Sequence, residues 1–290
     1  MAAIEQQSLV ETQWLEDHLS APDIVLVDAS WYLPTSGRSG GDEFTQSHIP
    51  GAQFLDIDLI SDDASDLPHM LPSPVKFASF MKHIGIGDGV RVVAYDRDGI
   101  FASARVWWML RVMGHRDVSV LNGGLRKWLA EGRAIESGDG ATRPGVHFTP
   151  RVQSALVADI DDVKKVSDSD GSFGGQLVDA RPADRFLGRT AEPRAGLRKG
   201  HIPNSANVPF SLVINDDGTM AQGDALANVF LNANVRPNDK VIATCGSGVS
   251  AAVLALALAQ LGNETVAVYD GSFAEWGMAD NGLRVESDAD

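Results

Sequence analysis

The chain contains one cysteine, Cys245, and it is followed by Gly246-Ser247-Gly248-Val249-Ser250-Ala251. An ionised thiol is a strong nucleophile, and two glycines let a loop curl so that several backbone N–H groups point inward. A short β-branched run at 240–244 precedes the cysteine, and an Ala- and Leu-rich stretch at 250–261 follows it. That order predicts a strand, then Cys245, then a helix whose partial positive end favours a thiolate. Free cysteines are also among the most buried residues, so a structural thiol is the competing reading. The strand–Cys–Gly-x-Gly–helix setting favours the nucleophile, with Gly246, Ser247, Gly248, Val249 and Ser250 forming its amide cradle. A single cysteine excludes an intramolecular disulfide. No Cys/His grouping has zinc spacing, so no metal is expected.

The elements that must hold this loop are written twice. Val27-Asp28-Ala29 recurs as Val178-Asp179-Ala180, and His48-Ile49-Pro50 as His201-Ile202-Pro203. Val92-Val93-Ala94-Tyr95-Asp96 recurs as Val241-Ile242-Ala243-Thr244-Cys245, and Asn122-Gly123-Gly124 as Asp270-Gly271-Ser272. Four landmarks in one order, about 150 residues apart, indicate a duplicated domain rather than a short solenoid repeat. Short runs at 24–27, 91–95 and 118–121, then 177–179, 240–244 and 265–269, read as buried strands alternating with helices at 102–113 and 250–261. Alternation of this kind predicts an α/β fold, each half a mainly parallel sheet with helices on both faces. The predicted division is 1–140, a Gly-rich polar linker at 141–157, and 158–290. Asp96 stands where the second half has Cys245, so only the second half can do thiol chemistry. His48 and His201 occur in both copies, including the inert one, and read as structural. Trp107 and Trp108 lie on an apolar helix and read as core.

With 290 residues, 44% hydrophobic and 22% charged, the chain is long enough for two ordinary cores. Its net charge of -15 argues against nucleic acid or an anionic membrane surface as partner. The segment 1–7 has Glu5, no basic residue and no apolar run after it, so it does not read as a signal peptide. The apolar run at 249–261 is too short to span a bilayer, and a cytoplasmic location is expected.

The paired copies, the inert first one and the Cys-Gly-Ser-Gly-Val-Ser-Ala loop resemble the rhodanese superfamily, in particular its two-domain mercaptopyruvate sulfurtransferase branch. The resemblance runs from about Trp14 to Trp276. It implies two tandem rhodanese-like domains and a sulfur atom carried as a persulfide on Cys245. The usual loop of that branch ends in threonine where Ser250 stands here, a change that keeps the hydroxyl. Thiosulfate-specific relatives carry basic residues just after the cysteine; Gly246 and Ser247 are neutral. The resemblance assigns Arg185 and Arg194, in Arg185-Phe186…Glu192-Pro193-Arg194, to the donor's carboxylate and keto oxygens. A guanidinium is the natural fork for a planar 2-oxo acid, although charge runs are often only solvated faces. Arg189, Arg198 and Lys199 read as such a face, and Arg181 as a structural partner of Asp179. The resemblance also places Asp58, His69 and Ser247 in a chain like that of a serine protease. That chain would either move protons or fix a hydrogen-bonded network.

The implied activity is sulfur transfer from 3-mercaptopyruvate to a thiol or cyanide acceptor, thioredoxin being one such thiol, with release of pyruvate and no cofactor. The rivals are a thiosulfate:cyanide sulfurtransferase and a non-catalytic persulfide carrier or interaction module. A Cys-based phosphatase needs an arginine six residues after the cysteine, where this chain has Ala251.

Overall fold

The computed structural model describes residues 7–169 and 175–288, which fall into two compact units. In the first unit the strands are β1 (Leu9–Val10), β2 (Ile24–Asp28), β3 (Gln53–Phe54), β4 (Arg91–Tyr95) and β5 (Val118–Leu121). They form one parallel sheet in the order β1-β5-β4-β2-β3. In the second unit β6 (Val157–Ala158), β7 (Gln176–Asp179), β8 (Ser205–Asn207), β9 (Val241–Thr244) and β10 (Ala267–Tyr269) form a parallel sheet in the matching order β6-β10-β9-β7-β8. Every residue of β2, β4 and β9 is buried. That is why these strands read as continuous apolar runs and not as alternating ones.

In each sheet the strand order reverses at one point, between β2 and β4 and again between β7 and β9. In open α/β sheets ligands bind beyond the carboxyl ends of the strands at that reversal. Cys245 follows β9 directly and Asp179 ends β7. The thiol therefore sits just beyond the carboxyl end of β9, at that reversal. The helix Val249–Gln260, buried from Val249 to Leu258, leads away from it, and Ala102–Val112 does the same in the first unit. Trp107 and Trp108 are core residues of that helix, as expected. One core gathers Leu26, Val93, Leu121, Leu125 and Trp128, and the other gathers Leu177, Ile242, Tyr269, Phe273 and Trp276.

His48 and His201 hold the same structural place. His48 Nδ1 meets the Phe44 carbonyl at 2.9 Å and its ring stacks on Phe44 at 4.0 Å. His201 Nδ1 meets the Phe186 carbonyl at 2.8 Å and its ring stacks on Phe186 at 3.8 Å.

The units are not contiguous in sequence, unlike the division read from the landmarks. The first runs to Ile60 and adds Pro72–Val152 and Asp216–Met220. The second takes Ser61–Leu71, Gln153–Asn215 and the chain from Ala221 onward. Equivalent residues of the two units each bond the end of the borrowed segment. Asn122 Oδ1 accepts the Met220 N–H at 2.9 Å, and Asp270 Oδ2 accepts the Leu71 N–H at 2.7 Å. Leu71 and Met220 are 149 residues apart, the spacing of Asp96 and Cys245. The two borrowed segments are thus equivalent pieces of the repeat. Among the described residues no helix is long and apolar enough to cross a membrane, and no group of three or more His, Cys, Asp or Glu side chains could hold a metal ion.

Candidate active site around Cys245

The Cys245 side chain is buried, and the backbone around it is tightly held. Its N–H donates to Ser272 Oγ at 3.3 Å, and its carbonyl accepts from the Phe273 N–H at 2.9 Å. The Gly246 carbonyl accepts from the Ala274 N–H at 2.9 Å. Gly248 takes φ 78 as the residue capping the helix Val249–Gln260. A left-handed conformation there is why this loop position suits glycine.

Polar side chains flank the loop that follows the thiol. Arg185 lies against the loop: a Cβ added at Gly246 would stand 2.9 Å from Arg185 Nη2. Any side chain after the cysteine would press on that guanidinium. Ser247 is buried, and its Oγ is 2.9 Å from His69 Nδ1. His69 is carried by the borrowed segment Ser61–Leu71, which belongs to the same unit as Cys245.

The first unit shows what this place in the fold is built to hold. The Asp96 carboxylate accepts the N–H groups of Phe101 at 2.7 Å, Ala102 at 3.0 Å and Ser103 at 2.9 Å, and also the Ser103 hydroxyl. Burial pushes Asp96 up to about 7, against the lowering effect of the hydrogen bonds from Ser103 and Phe101. A buried carboxyl group is thus seated on the amides of a helix start. The residues 149 positions on are Ser250, Ala251 and Ala252, behind Cys245.

The expected residues fall in different surroundings. Arg185 is one-fifth exposed, and its Nε and Nη2 donate to Glu192 Oε1 and Oε2 at 3.1 and 2.5 Å. Arg194 is partly buried in the loop beyond Pro193. Arg181 is fully buried as the structural partner of Asp179, with Nη2 2.6 Å from Oδ2, and its guanidinium lies 3.9 Å from the centre of the Phe273 ring. Arg198 donates to the Gly277, Leu283 and Trp276 carbonyls, a packing role. Asp58 belongs to the first unit, where its Oδ2 accepts the Trp31 indole N–H at 2.9 Å.

Two neighbours of the site went unread in the sequence. Glu192 lies inside the Arg185–Arg194 stretch and is almost wholly buried between two guanidiniums. Ser272 aligns with Gly124 of the first copy and keeps a glycine-like φ of 49 with its hydroxyl on the Cys245 amide. A non-glycine residue at a glycine position of the repeat was the available signal.

Comparison with known proteins agrees with this architecture. The rhodanese-like domain model matches residues 11–131 and 159–279. The 3-mercaptopyruvate sulfurtransferase of Homo sapiens is 40% identical over 278 residues, covering 94% of this chain and 92% of the human protein. The crystal structure of SseA from Escherichia coli, described as a 3-mercaptopyruvate sulfotransferase with the rhodanese fold, superposes with a TM-score of 0.83. It is 37% identical and covers 92% of this chain and 98% of its own. That of Tum1 from Saccharomyces cerevisiae gives a TM-score of 0.88 at 29% identity, covering 97% of this chain and 98% of its own. Both copies of the domain are matched, and full-length relatives carry the same duplicated plan, so the chain belongs to the rhodanese family and is a sulfurtransferase enzyme.

Proposed function

We propose that this enzyme takes sulfur from 3-mercaptopyruvate, holds it as a persulfide on Cys245, releases pyruvate, and passes the sulfur to a thiol or cyanide acceptor. The observation that carries the reading is the Arg185 guanidinium lying against the backbone of the residue after the only cysteine. A cation there suits a donor that presents a carboxylate while its sulfur meets the thiol. The name of the human relative supports the same donor.

Arg185 and Arg194 hold the donor's carboxylate and keto oxygen. The Cys245 thiolate attacks the donor sulfur, forming the S–S bond as the carbon–sulfur bond breaks. The electron pair of that bond passes to the keto group as an enolate. The proton leaves the donor's thiol and returns to the enolate carbon, giving pyruvate and a persulfide anion, so atoms and charge balance. Ser247 and His69 lie at hydrogen-bond distance and carry that proton. Asp58 is assigned to the same relay on the resemblance alone. The loop Gly246–Ser250 and the helix start receive the persulfide, as the equivalent amides receive the Asp96 carboxylate. With one cysteine in the chain, the outer sulfur leaves to another molecule, a small thiol or a thiol protein such as thioredoxin.

Steady-state kinetics on two donors test the assignment. We expect kcat/KM for 3-mercaptopyruvate to exceed that for thiosulfate by about a hundredfold or more, and Arg185→Ala and Arg194→Ala each to raise the KM for mercaptopyruvate by about tenfold or more. A preference for thiosulfate, or an unchanged KM in both variants, would remove mercaptopyruvate from the scheme.

A further inference from the structure

Glu192 is the most completely enclosed acid near the Cys245 loop for which the sequence offers no role. Its side chain is 2% exposed. Oε1 accepts from Arg181 Nη1 at 2.8 Å and from Arg185 Nε at 3.1 Å, while Oε2 accepts from Arg185 Nη2 at 2.5 Å. Arg181 is in turn paired with Asp179, which is fully buried. Two carboxylates and two guanidiniums thus form one continuous quartet whose formal charges cancel.

A guanidinium has five N–H donors in a fixed plane. Glu192 occupies the edge formed by Nε and Nη2 of Arg185. Among the described residues no other acceptor meets this guanidinium, which leaves both hydrogens of Nη1 and one of Nη2 for a ligand, and Nη2 is the atom that lies against Gly246. The buried acid therefore does two things to Arg185. It locks the plane of the fork, and it cancels the charge that the fork would otherwise bring to the loop. A locked but charge-balanced fork recognises an anion by hydrogen-bond geometry more than by net field. Restoring one positive charge would favour a doubly charged donor over a singly charged one, because the added attraction scales with donor charge.

We propose that Glu192 is a positioning residue that orients Arg185 and, by cancelling its charge, tunes the site for a singly charged 2-oxo acid against a doubly charged sulfur donor. This rests on the proposed role of Arg185 in holding the donor's carboxylate. The test uses the full-length enzyme with Glu192→Gln, which keeps shape and one acceptor but removes the charge. With 3-mercaptopyruvate as donor, KM rises about tenfold while kcat stays within about threefold, as expected for lost orientation of a binding group. The ratio of kcat/KM on thiosulfate to that on mercaptopyruvate rises by about tenfold or more. An unchanged ratio, with both donors weakened equally or neither affected, overturns the proposal.

Arg185→Ala, measured in parallel, separates the two levels. If it raises the mercaptopyruvate KM while Glu192→Gln leaves the ratio unchanged, only this inference fails. If it leaves the KM unchanged, the donor-site reading fails and takes this inference with it. Should Glu192→Gln not fold, inhibition of the wild-type enzyme carries the test. Pyruvate, a monoanion, should compete with mercaptopyruvate at least about tenfold more tightly than the thiosulfate dianion does. Equal or tighter competition by thiosulfate would refute it.

Discussion

His69 holds its backbone at φ 60, a region that non-glycine residues rarely enter, while the residue equivalent to it in the other half is Gly218 at φ 86. Gly218 packs on Gly99, and His69 reaches Ser247, which precedes Gly248, the residue equivalent to Gly99. The same pattern holds for Ser272 and Gly124, at φ 49 and 57. In both pairs the thiol-bearing unit accepts backbone strain that the inert one avoids, and the side chain gained touches the Cys245 loop. Strain kept at such a place is a reason to test the side chain for a role. A direct consequence concerns stability. His69→Gly should be about 1 kcal/mol more stable than His69→Ala, because only glycine adopts this φ freely. Both variants should lose about tenfold or more in kcat if the imidazole serves the Ser247 hydroxyl. Urea denaturation and turnover measured on the pair check this. Equal stability of the two would deny the strain, and wild-type kcat in both would deny the proton role. The place of Cys245 between a strand and a helix was legible, because a β-branched run and an Ala- and Leu-rich run flank it in the sequence. Glu192 was not, because one acid among several arginines shows its partners only when the loop is folded.

At the scale of elements, the long buried pieces were readable and the short ones were not. The runs at 24–27 and 250–261 correspond to Ile24–Asp28 and Val249–Gln260, because burial on every side leaves a continuous apolar signature. The run at 265–269 narrows to Ala267–Tyr269. The edge strands β1, β3 and β6 have two residues each, too few to show any period. The loop after β4 carries its own prediction. Burial raises Asp96 to about 7, so between the ordinary carboxylate range near 3.8 and pH 7 the unfolded chain releases a proton that the folded chain keeps. The contribution of Asp96 to stability is therefore most favourable at low pH and declines as pH rises through that window, at up to about 1.4 kcal/mol per pH unit, levelling off above it. The difference in urea midpoint between wild type and Asp96→Asn, followed from pH 4 to 8, should shrink in the wild type's disfavour up to about pH 7 and then stay constant. A difference that does not vary with pH would show that the Asp96 carboxyl titrates in its ordinary range.

For the whole molecule, the duplication was plain from the order and spacing of four landmarks, and each copy folds as one parallel five-stranded sheet. The borrowed segments Ser61–Leu71 and Asp216–Met220 were not foreseen. Side-chain-to-backbone hydrogen bonds from Asp270 and Asn122 take part in their capture, and those residues look like ordinary turn formers in sequence. The segment carrying His69 thereby joins the unit that holds the thiol. On the proposed mechanism the copies divide the labour: one amide cradle is occupied by the Asp96 carboxyl, and the other is left for the sulfur carried on Cys245. The sharpest test of that claim is intact-protein and peptide mass spectrometry after one addition of 3-mercaptopyruvate without any acceptor. The account predicts one added sulfur atom per chain, located on the peptide containing Cys245, with one equivalent of pyruvate released and neither event in Cys245→Ser. Pyruvate released by the wild type with no sulfur on Cys245, or released equally by Cys245→Ser, would contradict it.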